Sequence, residues 1–454
     1  MMLGLLKMVP ASFLWLSSVL ALSLDVNSDE SVCAAAKEIV QGEMNYYEGI
    51  TYGGTVGMFS APYYWWHAGE VFGGWVDYWA YCASDNDTFT EILYDAMYAQ
   101  KGDDYNYMPL NQSLTEGNDD QGVWGMAIMQ AVERNFTNPT DHSWLYMIQA
   151  IFNSMNNRWD TTSCNGGLRW QIFTWNNGYT YKNSIANGCL FHIAARLYRY
   201  TGEDLYLEVA EKVYDWMWDV GYFVEEDGEL IIYDGAETTE NCTDLTMYEW
   251  SYTYGIFMSG YAYLYNATGE TKWKTAAQDV IDASSYFFNG SIMTETTCAY
   301  SDVCNTDQRS FRSLFSRCLG LTATLIPDTY DTIFTGWLVP SAQGAAESCS
   351  GGTDGITCGM NWAYGGWDGK YGLGEQMSAL DCVMSMITVD HDPLTLLTGG
   401  SSEDSDVSAG NDTLSLSLYN TNLISISSGD KAGAAILTVV VLGSFLGGLV
   451  WMLL

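Results

Sequence analysis

An internal repeat between residues 183 and 286 is the feature that most constrains the fold of this chain. When the sequence is shifted by 67 residues, Thr201-Gly202-Glu203 falls on Thr268-Gly269-Glu270, and Gly188 falls on Gly255. The apolar residues before and after each Thr-Gly-Glu recur with a helical period, and the glycine is typical of a helix end. Each unit is therefore predicted to be a helix, a tight turn and a second helix, which is the pattern of a helical repeat architecture.

The same periodicity continues on both sides of this repeat and predicts six helical hairpins. In each hairpin one helix is apolar and rich in small residues, and the other is more amphipathic. Twelve alternating helices of two kinds predict an all-α, double-ring toroid, the (α/α)6 barrel, over residues 24–397. The apolar helices are predicted at 65–82, 120–134, 184–200, 251–266, 310–325 and 374–389, and the amphipathic ones at 32–48, 88–100, 142–157, 204–217, 270–286 and 328–338.

The two ends of the chain carry targeting signals. A basic residue, Lys7, precedes a short apolar stretch that closes on Ala21-Leu22-Ser23, which is typical of a secretory signal peptide and assigns residues 1–23 to it. At the other end, Ala434–Leu454 has no charged residue. Small residues, a polar spacer and this tail together predict attachment of a GPI anchor and removal of the propeptide 429–454. A tail-anchored helix is the alternative.

The anchored residue is predicted to be Ser427, Ser428 or Gly429, and the Ser-rich segment 398–428 is predicted to be a flexible stalk. Seven Asn-x-Ser/Thr sequons agree with secretion. These lie at Asn86, Asn111, Asn135, Asn241, Asn266, Asn289 and Asn411.

Eleven cysteines, all between Cys33 and Cys382, suit an oxidising compartment, and the odd number leaves at least one thiol unpaired. The pairs Cys298/Cys304 and Cys349/Cys358 are close enough in sequence to be candidate disulfides.

Composition restricts the ligand. A net charge of −38 argues against nucleic acid, anionic lipid and acidic polysaccharide, and leaves a neutral substrate or a basic partner. Aromatic residues make up 15% of the chain, and such rings stack on the apolar faces of sugars, which suggests a carbohydrate cleft. No zinc site or other cofactor is expected, since the histidines have no ligand spacing. The four are His67, His142, His192 and His391.

If the inner helices are parallel, their N-termini share one rim, and the adjacent carboxylates Asp119 and Asp120 open the second of these helices. Acidic residues at a helix start are commonly only caps. Here, however, the stretch Gly117–Gly125 places both beside Trp124 and three glycines.

This stretch, together with Tyr181–Gly188 and Thr253-Tyr254-Gly255, resembles glycoside hydrolase family 76, the endo-α-1,6-mannanases. The anchor signal and Cys33-Ala34-Ala35-Ala36 are similar to the fungal cell-wall branch of that family. The resemblance implies an (α/α)6 fold and a retaining mechanism, with Asp119 as nucleophile and Asp120 as general acid/base. Adjacent carboxylates reach the roughly 5 Å separation of retaining enzymes more easily than the wider inverting one.

The resemblance further implies a cell-surface enzyme acting on α-1,6-linked mannose, either of wall mannan or of GPI-anchor glycans. Transfer of the glycosyl unit to a β-glucan acceptor is the expected outcome, with plain hydrolysis or a non-catalytic glycan-binding wall protein as alternatives. The protein is expected to contact the membrane only through the anchor. Its expected location is the outer leaflet of the plasma membrane or the cell wall. Substrate contacts are expected from Trp66, His67, Asn118, Gln121, Trp124, Trp175, Asn183, Asp234 and Tyr254.

Overall fold

A computed structural model describes residues 22–112 and 114–411, with residues 433, 436–438 and 440–444 of the C-terminal segment. The signal peptide, apart from residues 22 and 23, lies outside the described residues. So do Ser427, Ser428 and Gly429, the candidates for the anchored residue.

The first compact unit is built from helices joined by loops that carry seven short strands. The helices are α1 (Asp29–Met44), α2 (Trp65–Tyr78), α3 (Asp87–Ala99), α4 (Asn118–Glu133), α5 (Trp144–Asn157), α6 (Ser184–Thr201), α7 (Asp204–Asp219), α8 (Ser251–Thr268), α9 (Thr271–Ala283), the single turn α10 (Thr296–Ala299), α11 (Arg312–Leu325), α12 (Val339–Ser348) and α13 (Leu373–Thr388). The strands are β1 (Tyr181–Asn183), β2 (Phe223–Glu226), β3 (Glu229–Ile232), β4 (Gly235–Glu237), β5 (Leu245–Thr246), β6 (Phe288–Asn289) and β7 (Ile292–Met293).

Six of these helices form a closed inner ring. Each contacts the next in the order α2, α4, α6, α8, α11 and α13, and α13 returns to α2. The outer layer consists of α1, α3, α5, α7, α9 and the helical segment that ends with α12. The predicted (α/α)6 barrel is confirmed, and the six apolar helices of the sequence are its inner ring.

The predicted repeat is visible as two turns with the same hydrogen bonds. Gly202 and Gly269 end α6 and α8 with positive φ angles of 77° and 69°. In each case the preceding threonine accepts a hydrogen bond from the backbone N–H of the following glutamate, Glu203 at 3.2 Å and Glu270 at 3.1 Å. Since glycine adopts this left-handed conformation without a steric cost, it ends both helices at equivalent places.

Glycines allow the inner helices to approach closely. A Cβ added to Gly122 of α4 would lie 2.4 Å from the Cβ of Cys189 on α6, and one added to Gly260 of α8 would lie 2.4 Å from the Cε1 of Phe191 on α6. Both distances are shorter than any side chain tolerates. The small residues that marked the inner helices in the sequence are therefore a packing requirement of the ring.

The last outer helix is longer than predicted. The prediction ended it at residue 338, before Pro340. The structure has a π-helical segment, Asp331–Leu338, that continues directly into α12. Pro340 lies in the first turn of α12, directly after the π-helical turns, so the proline does not end the helical segment.

The domain was predicted to end at residue 397, and the compact unit of the structure continues to Gly410. Side chains of the outer helix α5 and its cap bind the backbone of residues 398–410. Ser143 Oγ donates to the carbonyl of Glu403 at 2.7 Å, and Asn153 Nδ2 donates to the carbonyl of Ala409 at 2.8 Å. A polar composition suggested a free stalk, but these bonds are to the backbone and do not depend on apolar side chains. Any stalk begins only after Gly410.

In the C-terminal segment, residues 433, 436–438 and 440–444 are helical. Within the described part of the chain, none of the helices has the combination of length and apolar character needed to cross a membrane.

Four disulfides close the loops of the barrel. The two predicted local bridges are confirmed, and three cysteines remain unpaired and buried in the inner ring. The bridges are Cys33–Cys82, Cys164–Cys242, Cys298–Cys304 and Cys349–Cys358, and the free thiols are Cys189, Cys318 and Cys382.

Candidate active site

The N-terminal ends of the inner helices surround a cleft of about 680 Å³. Its lining combines aromatic rings with carboxylates, and among the described lining residues there is no lysine, arginine or histidine. The aromatic side chains include Tyr64, Trp66, Trp170, Trp175, Tyr181, Trp250, Tyr252 and Phe311, and the carboxylates are Glu116, Asp119, Asp120, Asp234 and Asp307. Stacking surfaces beside negative charge suit a neutral polyhydroxyl ligand and repel an acidic one.

The two adjacent aspartates lie in the first turn of α4, partly exposed to the cleft. The backbone N–H of Gly117 donates to Asp120 Oδ2 at 2.7 Å, and the N–H of Asp120 donates to Asp119 Oδ1 at 3.0 Å. Both carboxylates thus satisfy free N–H groups of the helix start, which is their capping role. Because they also face the cleft, capping fixes their positions for chemistry.

Gly117 shows how close the two carboxyl groups are. A Cβ built on this residue would lie 2.3 Å from Asp119 Oδ1 and 3.3 Å from Asp120 Oδ2. Since both oxygens are that near a single point, they cannot be more than about 5.6 Å apart. This upper limit lies below the ~6.5–9.5 Å of inverting glycosidases and is compatible with the roughly 5 Å of retaining ones.

Burial raises the pKa of both aspartates, and the charge of Asp119 raises that of Asp120 further. Two hydrogen bonds oppose this effect at Asp119, one from the backbone of Asp120 and one from Asn183 Nδ2 to Oδ2 at 3.3 Å. Hydrogen bonds donated to a carboxylate favour its ionised form. The arrangement therefore favours a pair that shares one proton, with Asp119 ionised and Asp120 protonated.

A small sheet brings Asn183 and Asp234 to the cleft. Strand β1 pairs with β4, with Asn183 opposite Gly235, so Asp234 emerges next to the start of α6. The two oxygens of Asp234 accept hydrogen bonds from Tyr181 Oη at 2.5 Å and from Trp250 Nε1 at 3.0 Å. These bonds hold a third carboxylate in a fixed orientation near Asp119.

Trp66 and Trp175, both expected to contact sugar, line the cleft. Trp175 is 46% exposed and stacks on Phe173 with ring centroids 4.9 Å apart. Trp66 stacks on His67 at 3.9 Å. Each indole is therefore held from behind by another ring while one part of it faces the cleft.

Asn118 and Gln121, which were expected to contact the substrate, are buried behind the cleft and do not line it. Both accept hydrogen bonds from the guanidinium of Arg158, Asn118 at 2.7 Å, and Asn118 also donates to the carbonyl of Arg169 at 2.8 Å. They stabilise the loop after α5 against the start of α4. The prediction placed them in the site because their neighbours in sequence are there, but the helical turn directs these two side chains inward.

Three further expected contacts are also buried and do not line the cleft. Trp124 is fully buried and donates to the carbonyl of Trp65 at 3.1 Å, and Tyr254 accepts from the N–H of Ile232 at 3.0 Å. His67 Nδ1 accepts from the N–H of Tyr64 at 3.1 Å, and burial lowers the His67 pKa to about 3, so its ring is neutral. These residues position neighbouring lining residues and do not themselves reach the ligand space.

Several lining residues were not predicted as ligand contacts. Trp170 lies in the loop that leads to β1, Trp250 precedes α8, and Glu116 and Asp307 lie ahead of α4 and α11. The prediction concentrated on the first turns of the inner helices, whereas the loops that precede these helices also form walls of the cleft. Aromatic residues in polar loops, such as Trp170, were the available signal.

Comparison with known proteins gives concordant results. The sequence model of glycosyl hydrolase family 76 matches residues 31–396. The chain is 59% identical to mannan endo-1,6-alpha-mannosidase DFG5 of Candida albicans, over 97% of each chain. It is similar to the crystal structure of Dfg5 from Chaetomium thermophilum in complex with glucosamine, with a TM-score of 0.78, 34% identity, and coverage of 85% of this chain and 98% of that one.

The fold is also that of an alpha-1,6-mannanase, GH76A of Salegentibacter sp. HEL1_6, whose inactive variant was solved with alpha-1,6-mannotetrose. The TM-score is 0.63 at 16% identity, with 79% of this chain and 99% of that chain covered.

Proposed function

Because the chain belongs to glycosyl hydrolase family 76 and is a glycoside hydrolase, we propose that it cleaves α-1,6-linked mannose glycans with retention of configuration, using Asp119 and Asp120. The observation that carries this proposal is the pair of carboxyl groups, held less than about 5.6 Å apart at the base of an aromatic cleft.

The geometry supports a double displacement. Ionised Asp119 attacks the anomeric carbon while protonated Asp120 gives its proton to the departing sugar oxygen, so that a glycosyl ester forms as the glycosidic bond breaks. Asp120, now ionised, then takes a proton from an incoming hydroxyl, whose oxygen attacks the same carbon and releases Asp119. Two inversions give net retention. The like charge of Asp119 helps to keep the proton on Asp120 until the leaving group needs it.

The substrate class rests on similarity and on the cleft. The curated relative in Candida albicans is named as a mannan endo-1,6-alpha-mannosidase and aligns over nearly the whole chain. The cleft supports a neutral glycan, since its five carboxylates would repel an acidic one, and its exposed rings, among them Trp175 and Tyr64, can stack on pyranose faces.

A retaining enzyme also offers transfer, and we infer that the incoming hydroxyl comes from a wall β-glucan when the donor is a GPI-anchor mannose. The glycosyl ester reacts with whichever hydroxyl reaches the anomeric carbon, and a sugar can bind the same aromatic surfaces as the leaving group did. Hydrolysis of wall mannan is the competing outcome. Product analysis of the ectodomain on α-1,6-mannooligosaccharides, with and without laminarioligosaccharides, separates the two: hybrid products support transfer, and shortened oligosaccharides alone contradict it for that acceptor.

An action at the cell surface is supported by the exterior of the protein. Six of the seven sequon asparagines are exposed and Asn411 is partly exposed, so glycans can be carried without disturbing the barrel. Together with the four disulfides, this favours a secreted, glycosylated enzyme tethered by a GPI anchor. Release of the protein from intact cells by a phosphatidylinositol-specific phospholipase would test the tether, and retention in the membrane fraction would argue for the tail-anchored alternative.

The non-catalytic alternative is tested by Asp119→Asn. A glycan-binding wall protein keeps its function with this change, whereas an enzyme of the proposed kind loses it while still binding mannooligosaccharides.

A further inference from the structure

Glu116 is a carboxylate of the cleft that the proposed chemistry does not use. It lines the cleft, yet it is only 2% exposed. Both of its side-chain oxygens are buried, and neither has a hydrogen-bond partner within the part of the chain that the structure describes. A buried polar group without a partner lowers stability and is rare in native proteins, so its retention calls for a function.

The backbone holds Glu116 firmly next to the catalytic pair. Its N–H donates to the carbonyl of Gln112 at 3.0 Å, and its carbonyl accepts from the N–H of Ile172 at 3.4 Å. The next residue, Gly117, forms a β-bridge with Gln171 and leads directly into α4. The same turn therefore fixes the positions of Glu116 and of the two aspartates.

Arg158 is the nearby cation, but its hydrogen bonds are directed to other groups. The guanidinium donates to Asn118 Oδ1 at 2.7 Å and to Ser154 Oγ at 2.8 Å, and it also donates to Gln121. Its charge acts on Glu116 without a hydrogen bond to the Glu116 carboxyl. Glu116 is therefore not explained as the anchor of a buried ion pair.

Burial raises the pKa of Glu116 well above its usual range, against the attraction of Arg158, and Asp120 raises it further whenever that carboxyl is ionised. The protonated carboxyl has one O–H donor and one free carbonyl acceptor. A sugar hydroxyl has the same two capacities, so one hydroxyl, or two neighbouring ones, can satisfy both atoms.

Neither carboxyl oxygen is exposed to the cleft, so the side chain must rotate to reach a ligand there. We propose that Glu116 is a substrate-binding residue whose carboxyl turns into the cleft to exchange hydrogen bonds with a hydroxyl of the sugar bound beside Asp120, and that it selects sugars carrying that hydroxyl. The inference rests on the proposed function, which supplies the sugar. Its consequence is specificity, since a site with a buried group built to pair with a hydroxyl rejects an analogue that lacks the hydroxyl far more strongly than an apolar site does.

The test uses Glu116→Leu and Glu116→Gln, each combined with Asp119→Asn so that binding is measured without turnover. Leucine has nearly the same volume and cannot hydrogen-bond, whereas glutamine keeps one donor and one acceptor. Calorimetric titration with α-1,6-mannotetraose is expected to show affinity weakened about 10-fold or more by leucine and by less than about 3-fold by glutamine. The melting temperature of the leucine variant should equal or exceed that of Asp119→Asn alone, because an unpaired buried carboxyl has been removed.

Monodeoxy α-1,6-mannobiosides then identify the hydrogen bond. One analogue should bind the Asp119→Asn protein about 10-fold more weakly than the parent disaccharide, and this penalty should disappear in the leucine double variant. Equal affinity of the leucine variant for mannotetraose would overturn the inference. A lower melting temperature with the same loss for every analogue would also overturn it, since that is the behaviour of a structural residue. If Asp119→Asn itself bound no mannooligosaccharide, the proposed function would fail, and this inference with it.

Discussion

At the residue scale, the two aspartates differ through their hydrogen bonds and not through their burial. Asn183 and the N–H of Asp120 both donate to Asp119, whereas Asp120 accepts from Gly117 and is repelled by its neighbour's charge. This asymmetry supports the proposed roles of Asp119 as nucleophile and Asp120 as general acid/base, which in the sequence rest on the family resemblance alone. Variants of each aspartate can therefore test directly which residue is the nucleophile and which is the acid.

Asp120→Ala should lose the first chemical step only when the leaving group needs a proton. With α-1,6-mannooligosaccharides, kcat/KM is expected to fall by about 10²–10⁴. With a dinitrophenyl α-1,6-mannobioside, whose leaving group departs unprotonated, the initial burst of dinitrophenol should remain. Asp119→Ala serves as the control and should lose both reactions. Equal loss of both substrates in Asp120→Ala would contradict its role as the acid.

The pH profile of kcat/KM should be bell-shaped, with both limbs displaced upward from ordinary carboxyl values. Activity is lost as the pH falls through the raised pKa of Asp119, because the nucleophile becomes protonated. It is lost again as the pH rises through the pKa of Asp120, because the acid has given up its proton. Burial raises both values, so the acid limb should lie above the usual aspartate pKa of about 3.9. Full activity persisting down to pH 4 would be inconsistent with this arrangement.

Gly117→Ala is expected to impair catalysis without unfolding the protein. The φ and ψ angles of this residue, −99° and 167°, are allowed for alanine, so the backbone is not strained. The added methyl group would, however, lie 2.3 Å from Asp119 Oδ1 and displace the carboxylate. We expect kcat to fall by roughly 10²-fold, with a change in melting temperature of only a few degrees. Wild-type kcat in this variant would show that the carboxylate position is less critical than inferred.

At the element scale, the barrel depends on close contact between inner helices. Helix α4 meets α6 through Gly122 and Gly125, and α8 meets α6 through Gly260. In contrast, a Cβ on Gly320 of α11 would have no neighbour nearer than 3.4 Å. Glycines of the same ring are therefore expected to differ in their tolerance of alanine.

Gly122→Ala should lower the free energy of unfolding by about 1–3 kcal/mol, because its methyl group would overlap Cys189. Gly320→Ala is the matched control and should be neutral, or stabilising by up to about 1 kcal/mol through helix propensity. Urea denaturation of both variants measures the difference. Equal effects would mean that the ring can adjust its helix spacing.

The helices were largely predictable, because twelve segments repeat the same period and the glycine turns mark their ends. The candidate site was predictable where it coincides with those helix ends, as for Asp119, Asp120 and Asn183. Two loop residues, Trp175 and Asp234, were also predicted and line the cleft. Trp124, Gln121 and Tyr254 belong to the same predicted rim. The turn of the helix, however, directs their side chains into the core. Trp170 and Asp307 lie in loops, whose positions depend on tertiary contacts that no sequence period encodes.

At the scale of the whole molecule, the protein buries carboxyl groups, in the inner ring and in the loops next to it, that are easier to bury neutral than charged. Burial raises the pKa of Glu70 to about 8 and that of Glu295 to about 7. The folded protein therefore keeps protons that the unfolded chain releases above about pH 4.5. In this window the unfolded state binds fewer protons, so stability falls as the pH rises.

Below about pH 6.5 the buried, neutral His67 and His192 oppose this slope, because the unfolded chain protonates them. The free energy of unfolding should therefore decline most clearly from about pH 6.5 to pH 8, by up to about 1.4 kcal/mol per pH unit for each such carboxyl group. Urea titrations at four pH values across this range measure the slope, and Glu70→Gln should make it shallower, because one of these groups is removed. A stability that is flat or rises over the same range would show that these carboxyls are ionised in the folded protein.

We have proposed that two adjacent carboxyl groups, fixed at the start of one inner helix, cleave an α-1,6-mannosidic bond with retention. Proton NMR of the wild-type ectodomain acting on α-1,6-mannotetraose, recorded before mutarotation, tests it most directly. With retention, the newly formed reducing ends should appear first as the α-anomer and only later equilibrate with the β-anomer. First appearance of the β-anomer would contradict retention, and an unchanged substrate would contradict the proposed activity itself.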